Sequence, residues 1–466
     1  MSKPLYFTAL LCFSLCIAYS LIISHDFVHG VDLDTLGWRV VAQYSVASIL
    51  MLYIWIRFPN SGDGFSPAWS LLLVGVLVRL LLLVTEPYTS NDVSRYLFDG
   101  RIALQGFDPY STPHNHPELV SLRELWAPPD EHAKYVTLYP PLALSLFSLA
   151  ASFGPLKAIW AWKIITLFAS LLVLWLGFKV LERTGKVKNL PLLALSPLLI
   201  LEAGSGLHLD IITATAVLAA VYNWQSKNIA LVGLFIGIGG LLKILPMVLL
   251  LPFFVMLNQW RPRIRLVITA LAVWLSGYLI FFLIGFRPIG SLAVFFEKWR
   301  SGSALFLWLE PHLGQPAMLF LALSVTALGF ILIAAYLWRE KLKVTNVESV
   351  QDIERVESTK DRELRMQDSM FLAMQFSMAI PLLVSPVIFP WYLLPILCLL
   401  ALRPNLLIIL WSLSIPLLYE VLGQFACCNV WAPATWPIHI IGIGLILAIF
   451  ISVTSRIMNT RNSHAP

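Results

Sequence analysis

The chain has 466 residues, of which 58% are hydrophobic and 12% charged, with a formal net charge of +6 and a mean hydropathy of +0.79. A soluble protein carries about a quarter charged residues, so this composition excludes a water-soluble enzyme. Most of the basic residues fall in short loops, where Lys and Arg set membrane orientation, and the positive charge therefore does not point to nucleic acid.

Apolar runs close to the ~20 residues that cross a bilayer core recur from end to end. Lipid tolerates only helices or closed barrels, and these runs are long and do not alternate, so they read as helices. The first is expected over 5–24, starting in the cytosol; a signal peptide is the alternative, but the run is longer than a usual signal core. Residues 25–36 hold three Asp and no Lys or Arg, which places them outside. Helices near 37–57 and 66–86 follow, joined by a cytosolic turn over 59–64. Residues 87–157 then form a large outer loop.

Within that loop, 140–153 is apolar but too short to cross. If it crossed, Arg183, Lys186 and Lys188 would land outside, against the charge rule. It is predicted to lie along the surface, with Pro140 and Pro141 in its first turn. Further helices are predicted near 158–182, 190–202, 209–224, 229–242, 244–258, 264–286, 316–338, 370–388, 391–402, 406–422 and 437–456. Outer turns fall at 202–210, 243–246 and 389–392, and a longer outer loop at 287–315. Residues 340–368, the only highly charged stretch, form a cytosolic polar linker, partly disordered or amphipathic. The expected fold is an all-α polytopic membrane protein of about 14 transmembrane helices (roughly 12–14), a single integral-membrane domain over 1–466. No repeat of the two halves is visible, which counts against a secondary transporter.

The five cysteines (Cys12, Cys16, Cys398, Cys427, Cys428) show no metal spacing and no disulfide framework. Cys427-Cys428 reads as two small loop residues, with a vicinal pair as the alternative. Chemistry concentrates in the early loop. Asp92, Arg95, Tyr96 and Asp99 fall at i, i+3, i+4 and i+7 and share one helix face. Thr89 and Asp92 also fit a capping box, and Asp99-Gly100 and Gly106 permit turns after the helix. A second cluster is Glu202, His208 and Asp210 around a Gly-Ser-Gly break; capping of the next helix is the plain alternative for the last two. Lys243 lies deep in an apolar stretch, where a base either faces a polar cavity or snorkels to the surface. Arg79 reads as an ion pair with Glu86 or a lipid-phosphate contact, and Trp160 and Trp162 as interfacial belt residues.

The set Asn91-Asp92-Val93-x-Arg95-Tyr96-Leu97-Phe98-Asp99-Gly100-Arg101, Gly106-Phe107-Asp108-Pro109-Tyr110 and Tyr139-Pro140-Pro141 resembles bacterial polytopic mannosyltransferases of the GT-C superfamily, which use polyprenyl-phosphate sugars. Gly206-Leu207-His208-Leu209-Asp210, Leu242-Lys243-x-x-Pro246 and Pro390-Trp391-Tyr392 resemble their later turns. The resemblance implies transfer of a hexose, most often mannose, to an outer-leaflet lipid or glycan, with the site facing the periplasm or exterior of a bacterial inner membrane. It maps the catalytic base onto Asp92. Arg95, Tyr96, Asp99, Arg101, Tyr139, His208, Asp210 and Lys243 are the candidate substrate-binding residues. Many members carry two adjacent acids, and here Asn91 replaces the first; no cofactor is called for, and a divalent metal stays open. The competing readings are a lipid-linked glycan polymerase or ligase, whose large loop usually comes late, a transporter or flippase, and an inactive paralogue.

Overall fold

The computed structural model describes residues 3–58, 67–346 and 359–462. Among these the chain is mostly helical and forms no strand, apart from one isolated bridge between Ser301 and Val387. The turn expected at 59–64 lies outside the described residues, as does the middle of the 340–368 linker. The flanks of that linker are helical, because Gln315–Asn346 and Thr359–Leu383 extend into it.

Among the described residues, eight helical stretches are long and apolar enough to cross a membrane. Five more apolar helices are shorter, among them Ile229–Leu242 and Leu245–Met256. Ile229–Leu242 has 14 residues, roughly 21 Å at the helical rise, which falls short of a ~30 Å core. It stops because Pro246 has no N–H to continue the ladder and its ring would clash with the carbonyl four residues back. Lys243 is accordingly extended, with φ −147° and ψ 144°.

Two helices stand out by their exposure. Only 11% of the apolar window of Trp260–Leu283 and 17% of that of Gln315–Lys343 is buried. An apolar helix left this bare suits a surrounding of lipid tails.

The early loop is built from its own helices. Asp92–Leu104 packs on Pro141–Ala151, and Pro141 does stand in the first turn of the latter. With 11 residues, Pro141–Ala151 is too short to cross. Residues 284–291 close over the same loop: Ser291 N–H donates to the Thr137 carbonyl at 3.1 Å, and Arg287 N–H to Asp108 Oδ2 at 3.0 Å.

The turn expected at Asp99-Gly100 does not form; the helix runs through to Leu104 and the chain turns at Gly106, φ +83°. Gly100 is instead a contact point, where a Cβ would overlap the backbone of Phe147. Gly100→Ala is expected to lower stability by roughly 1–3 kcal/mol through this overpacking. A thermal melt of the purified chain checks it; an unchanged midpoint would show that the two helices separate freely.

Three further expectations are corrected. Arg79 does not meet Glu86, because its helix aims it inward, where it donates to Ser170 Oγ, Gly75 O and Ala194 O at 2.8–3.1 Å. Glu86 pairs with Lys163 instead, at 3.2 Å. Trp162 is fully buried and donates to the Leu207 carbonyl at 2.8 Å, so it is no belt residue. Cys427 and Cys428 are joined as a vicinal disulfide.

Candidate active site

A cavity of about 1600 Å³ opens beside the early loop. Asp92, Arg95, Tyr139, Asp210 and Lys243 all stand in its wall, together with Trp391 and Tyr392. Five residues singled out in the sequence thus meet in one space, although they come from four separate segments.

Asp92 occupies the first turn of its helix. Thr89 does not cap that turn; Ser90 Oγ accepts from Asp92 N–H at 3.1 Å, and Asn91 makes no side-chain cap bond. One turn on, the Tyr96 hydroxyl reaches Asp92 Oδ2 at 3.3 Å. On its other side His208 Nδ1 approaches Oδ2 at 3.7 Å. Burial raises the Asp92 carboxyl above the usual aspartate range, and the positive charges of Arg95 and Lys243 pull it partly back.

Behind Asp92 a buried polar chain continues. His208 Nε2 lies 3.4 Å from Glu202 Oε2. Glu202 Oε1 accepts hydroxyl hydrogen bonds from Tyr44 at 2.7 Å and Tyr419 at 2.5 Å. The imidazole stacks on Trp391 with centroids 3.8 Å apart, and Phe389 covers the Trp391 ring at 4.6 Å. Three rings in a stack fix the imidazole plane. His208 is fully buried and does not border the cavity, in which it differs from the other expected site residues Asp210 and Lys243.

Lys243 and Asp210 form the second charged feature. The ammonium donates to both Asp210 oxygens at 2.7 Å and lies 4.5 Å from the Tyr392 ring centroid. Asp210 is buried, while the Lys243 side chain keeps 22% exposure toward the cavity. Arg95 is the second cation in the wall, its guanidinium 5.8 Å from the Tyr139 ring.

Two expected site residues fall elsewhere. Asp99 lies two turns below Asp92, about 10 Å along the helix, and bonds buried His114 at 2.7 Å. Arg101 is nine positions on, which turns it to the opposite helix face, and neither residue borders the cavity. Tyr96 also stays behind the wall, buried against Tyr139 and Phe147, and reaches the cavity only through its contact with Asp92.

Glu131 belongs to the wall and carries no sequence signal of its own; it accepts from Asn91 Nδ2 at 2.6 Å. So Asn91 anchors the loop rather than supplying a second acid. Among the described residues no three His, Cys, Asp or Glu side chains stand close enough to hold a metal ion.

A membrane-embedded helical protein with carboxylates, two cations and aromatic rings around a largely apolar cavity has the equipment of a membrane glycosyltransferase. The chain matches the family described as alpha-(1->6)-mannopyranosyltransferase, N-terminal domain, over residues 26–259, and it belongs to that family. It is an integral-membrane mannosyltransferase that acts on a sugar donor and an acceptor. The matched stretch contains Asp92, Arg95, His208, Asp210 and Lys243. No curated protein and no solved structure matches the chain.

A general base must be deprotonated, so if Asp92 fills that role, activity is expected to fall on acidification with a midpoint above ~3.9, the ordinary aspartate value. Arg95→Gln is expected to move that midpoint higher still, since a positive neighbour is lost. A kcat/KM profile checks both; a downward move on Arg95→Gln would show that Asp92 is not the group being titrated.

Proposed function

We propose that the chain transfers mannose from a polyprenyl-phosphate-mannose donor to a lipid or glycan acceptor by a single inverting displacement, with Asp92 as the base. The acceptor hydroxyl oxygen bonds to the anomeric carbon, and the bond from that carbon to the phosphate oxygen breaks. Asp92 takes the hydroxyl proton, and polyprenyl phosphate leaves as the anion. Lys243 and Arg95 stabilise the charge that builds on the phosphate. Because the leaving group is already good, no second carboxylic acid is required. An α product from one inversion requires a β-linked donor.

The observation that carries this reading is the meeting of Asp92, Arg95 and Lys243 in the wall of a cavity whose lining is otherwise mostly apolar. That lining includes Trp274 and Tyr278 of Trp260–Leu283 and Leu319 and Leu323 of Gln315–Asn346, the two most lipid-exposed helices, which suits an isoprenoid tail. In this reading the shorter apolar helices other than Pro141–Ala151 bring a GT-C-like bundle to 12 spans, the lower end of the expected range. Residues 87–157 are its catalytic loop and 340–368 its cytosolic linker. Basic side chains such as Arg183, Lys186, Arg261 and Arg265 lie at helix ends away from Asp92, which supports a site on the outer, periplasmic face of a bacterial inner membrane.

Membranes holding the chain, given radiolabelled β-polyprenyl-phosphate mannose, are expected to transfer label to a mannoside acceptor, whereas a sugar nucleotide is not a direct donor. Direct use of a sugar nucleotide by the purified chain would overturn the donor assignment.

A further inference from the structure

Glu202 has no part in the chemistry above, yet it is a fully buried acid on Pro197–Gly204. Among the described residues no Lys or Arg pairs with it; its polar neighbours are Tyr44, Tyr419 and His208. An isolated carboxylate is costly in such a place, so an acid there keeps its proton or shares one. Both phenols donate to Oε1, which has the role of a carbonyl oxygen, and the proton therefore falls on Oε2.

Three buried atoms of this group lack a hydrogen bond: Glu202 Oε2 and the two ring nitrogens of His208. They form a line toward Asp92. Oε2 lies 3.4 Å from Nε2, and Nδ1 lies 3.7 Å from Asp92 Oδ2. Buried polar groups rarely stay unpaired, and the hydrogen bonds of a reaction site are often long until substrate is in place. One direction satisfies all three atoms. The Glu202 O–H donates to Nε2, and an N–H at Nδ1 donates to Asp92. The Tyr96 hydroxyl reaches the same Oδ2. Asp92 Oδ1 is then the oxygen left to take the acceptor's proton.

The backbone is shaped for this contact. Gly206 lies against both side chains, and a Cβ there would stand 2.8 Å from Glu202 Oε2 and 2.6 Å from His208 Cδ2. Leu207 has φ +55°, a left-handed conformation that a leucine keeps only where its surroundings hold it. Trp162 holds its carbonyl, and His208 N–H closes the turn on the Glu202 carbonyl at 2.9 Å.

We propose that Glu202 is a positioning residue for the transfer. Its proton on Oε2 fixes the His208 tautomer that carries N–H at Nδ1, and that N–H holds the Asp92 carboxylate with Oδ1 free for the acceptor. The inference rests on Asp92 as the base and adds the group that keeps this base aligned.

The test is label transfer by the full-length chain in detergent, with kcat and donor KM measured separately and a thermal melt of each variant. In Glu202→Gln the oxygen still accepts from the two tyrosines and the amide donates to His208 Nε2, so native kcat is expected. Glu202→Met removes the donor and is expected to lower kcat roughly 10²-fold, the cost of a small misplacement at a reacting centre, with donor KM unchanged. A purely structural acid would lower the melting midpoint and leave the kcat of the folded chain intact. Native kcat in Glu202→Met would overturn the proposal, and so would a Glu202→Gln variant as slow as Glu202→Met. Where Glu202→Met does not fold, His208→Asn and His208→Leu decide. Both lose the ring stack, but only asparagine offers an N–H where Nδ1 stood, and it should be the faster by about tenfold; equal rates would overturn the proposal. Normal turnover by Asp92→Asn would end the base assignment and this proposal with it, whereas native kcat in Glu202→Met beside a slow Asp92→Asn would remove Glu202 alone.

Discussion

Asp92→Asn is expected to lower mannosyl transfer by about 10²–10⁴-fold, the usual worth of a positioned general base. The asparagine side chain has the same shape and can still accept from the Tyr96 hydroxyl, so the cavity should survive. What it lacks is a site for the acceptor proton. The stability consequence has a definite sign. Burial raises the Asp92 carboxyl in the folded state, so the fold prefers the neutral form. The stabilising contribution of that neutral group is complete below the unfolded-state value near ~3.9 and is lost as pH rises through the higher folded value. At neutral pH the native chain therefore carries a destabilising charge that the asparagine variant lacks. Asp92→Asn should be at least as heat-stable as the native chain at pH 7, and the gap should close on acidification. A variant that is both inactive and markedly less stable would mean that Asp92 is a structural acid. One that turns over normally would remove it from the mechanism.

Legibility in the sequence tracked how local each interaction is. Asp92 and Tyr96 were readable because their contact is one turn of one helix, set in a polar loop within a greasy chain. Lys243 was readable because an ammonium inside an apolar run needs a partner, and Asp210 supplies it across 33 positions of sequence. The helices themselves were readable for the same reason of local pattern: apolar runs ended by Pro, Gly or bases coincide with observed helices such as Lys3–His29, Leu36–Ile56 and Pro155–Arg183.

Other features depend on packing, which leaves no local trace. Tyr44 and Tyr419 reach Glu202 from 158 and 217 positions away, and nothing around either tyrosine marks it as a partner of a buried acid. Arg79 was matched to Glu86 because the two are close in sequence, yet helix rotation carries the guanidinium toward Ser170. Asp99 shares a helix face with Asp92, but a face is long; two turns of rise put Asp99 in a different cluster, with His114. His208 was visible as a polar residue beside a helix break, while its burial behind Trp391 was not, because that ring arrives from the other half of the chain.

The pair of Lys243 and Asp210 permits a test that separates scaffold from chemistry. Lys243→Met strands a buried carboxylate, and breaking such a pair costs about 3–5 kcal/mol when fully buried. With 22% of the lysine side chain exposed, the lower end of that range is expected here. Two other changes should accompany the loss. The donor KM should rise at least about tenfold, because the phosphate loses a cation. The acid limb of kcat/KM should move to higher pH, because Lys243 is one of the charges that hold the Asp92 carboxyl down. The double variant Asp210→Asn/Lys243→Met removes both charges and leaves no ion stranded. Its stability should recover most of the way to native, as expected when both members of a buried pair are replaced together. Its donor KM should stay raised, since the cation is still missing, while its acid limb should move only part of the way back, since the Asp210 charge also opposes ionisation of Asp92. Recovery of donor KM together with stability would reduce Lys243 to a structural partner of Asp210. The phosphate would then have to be held by Arg95 alone, the other cation in the wall named beside Asp92.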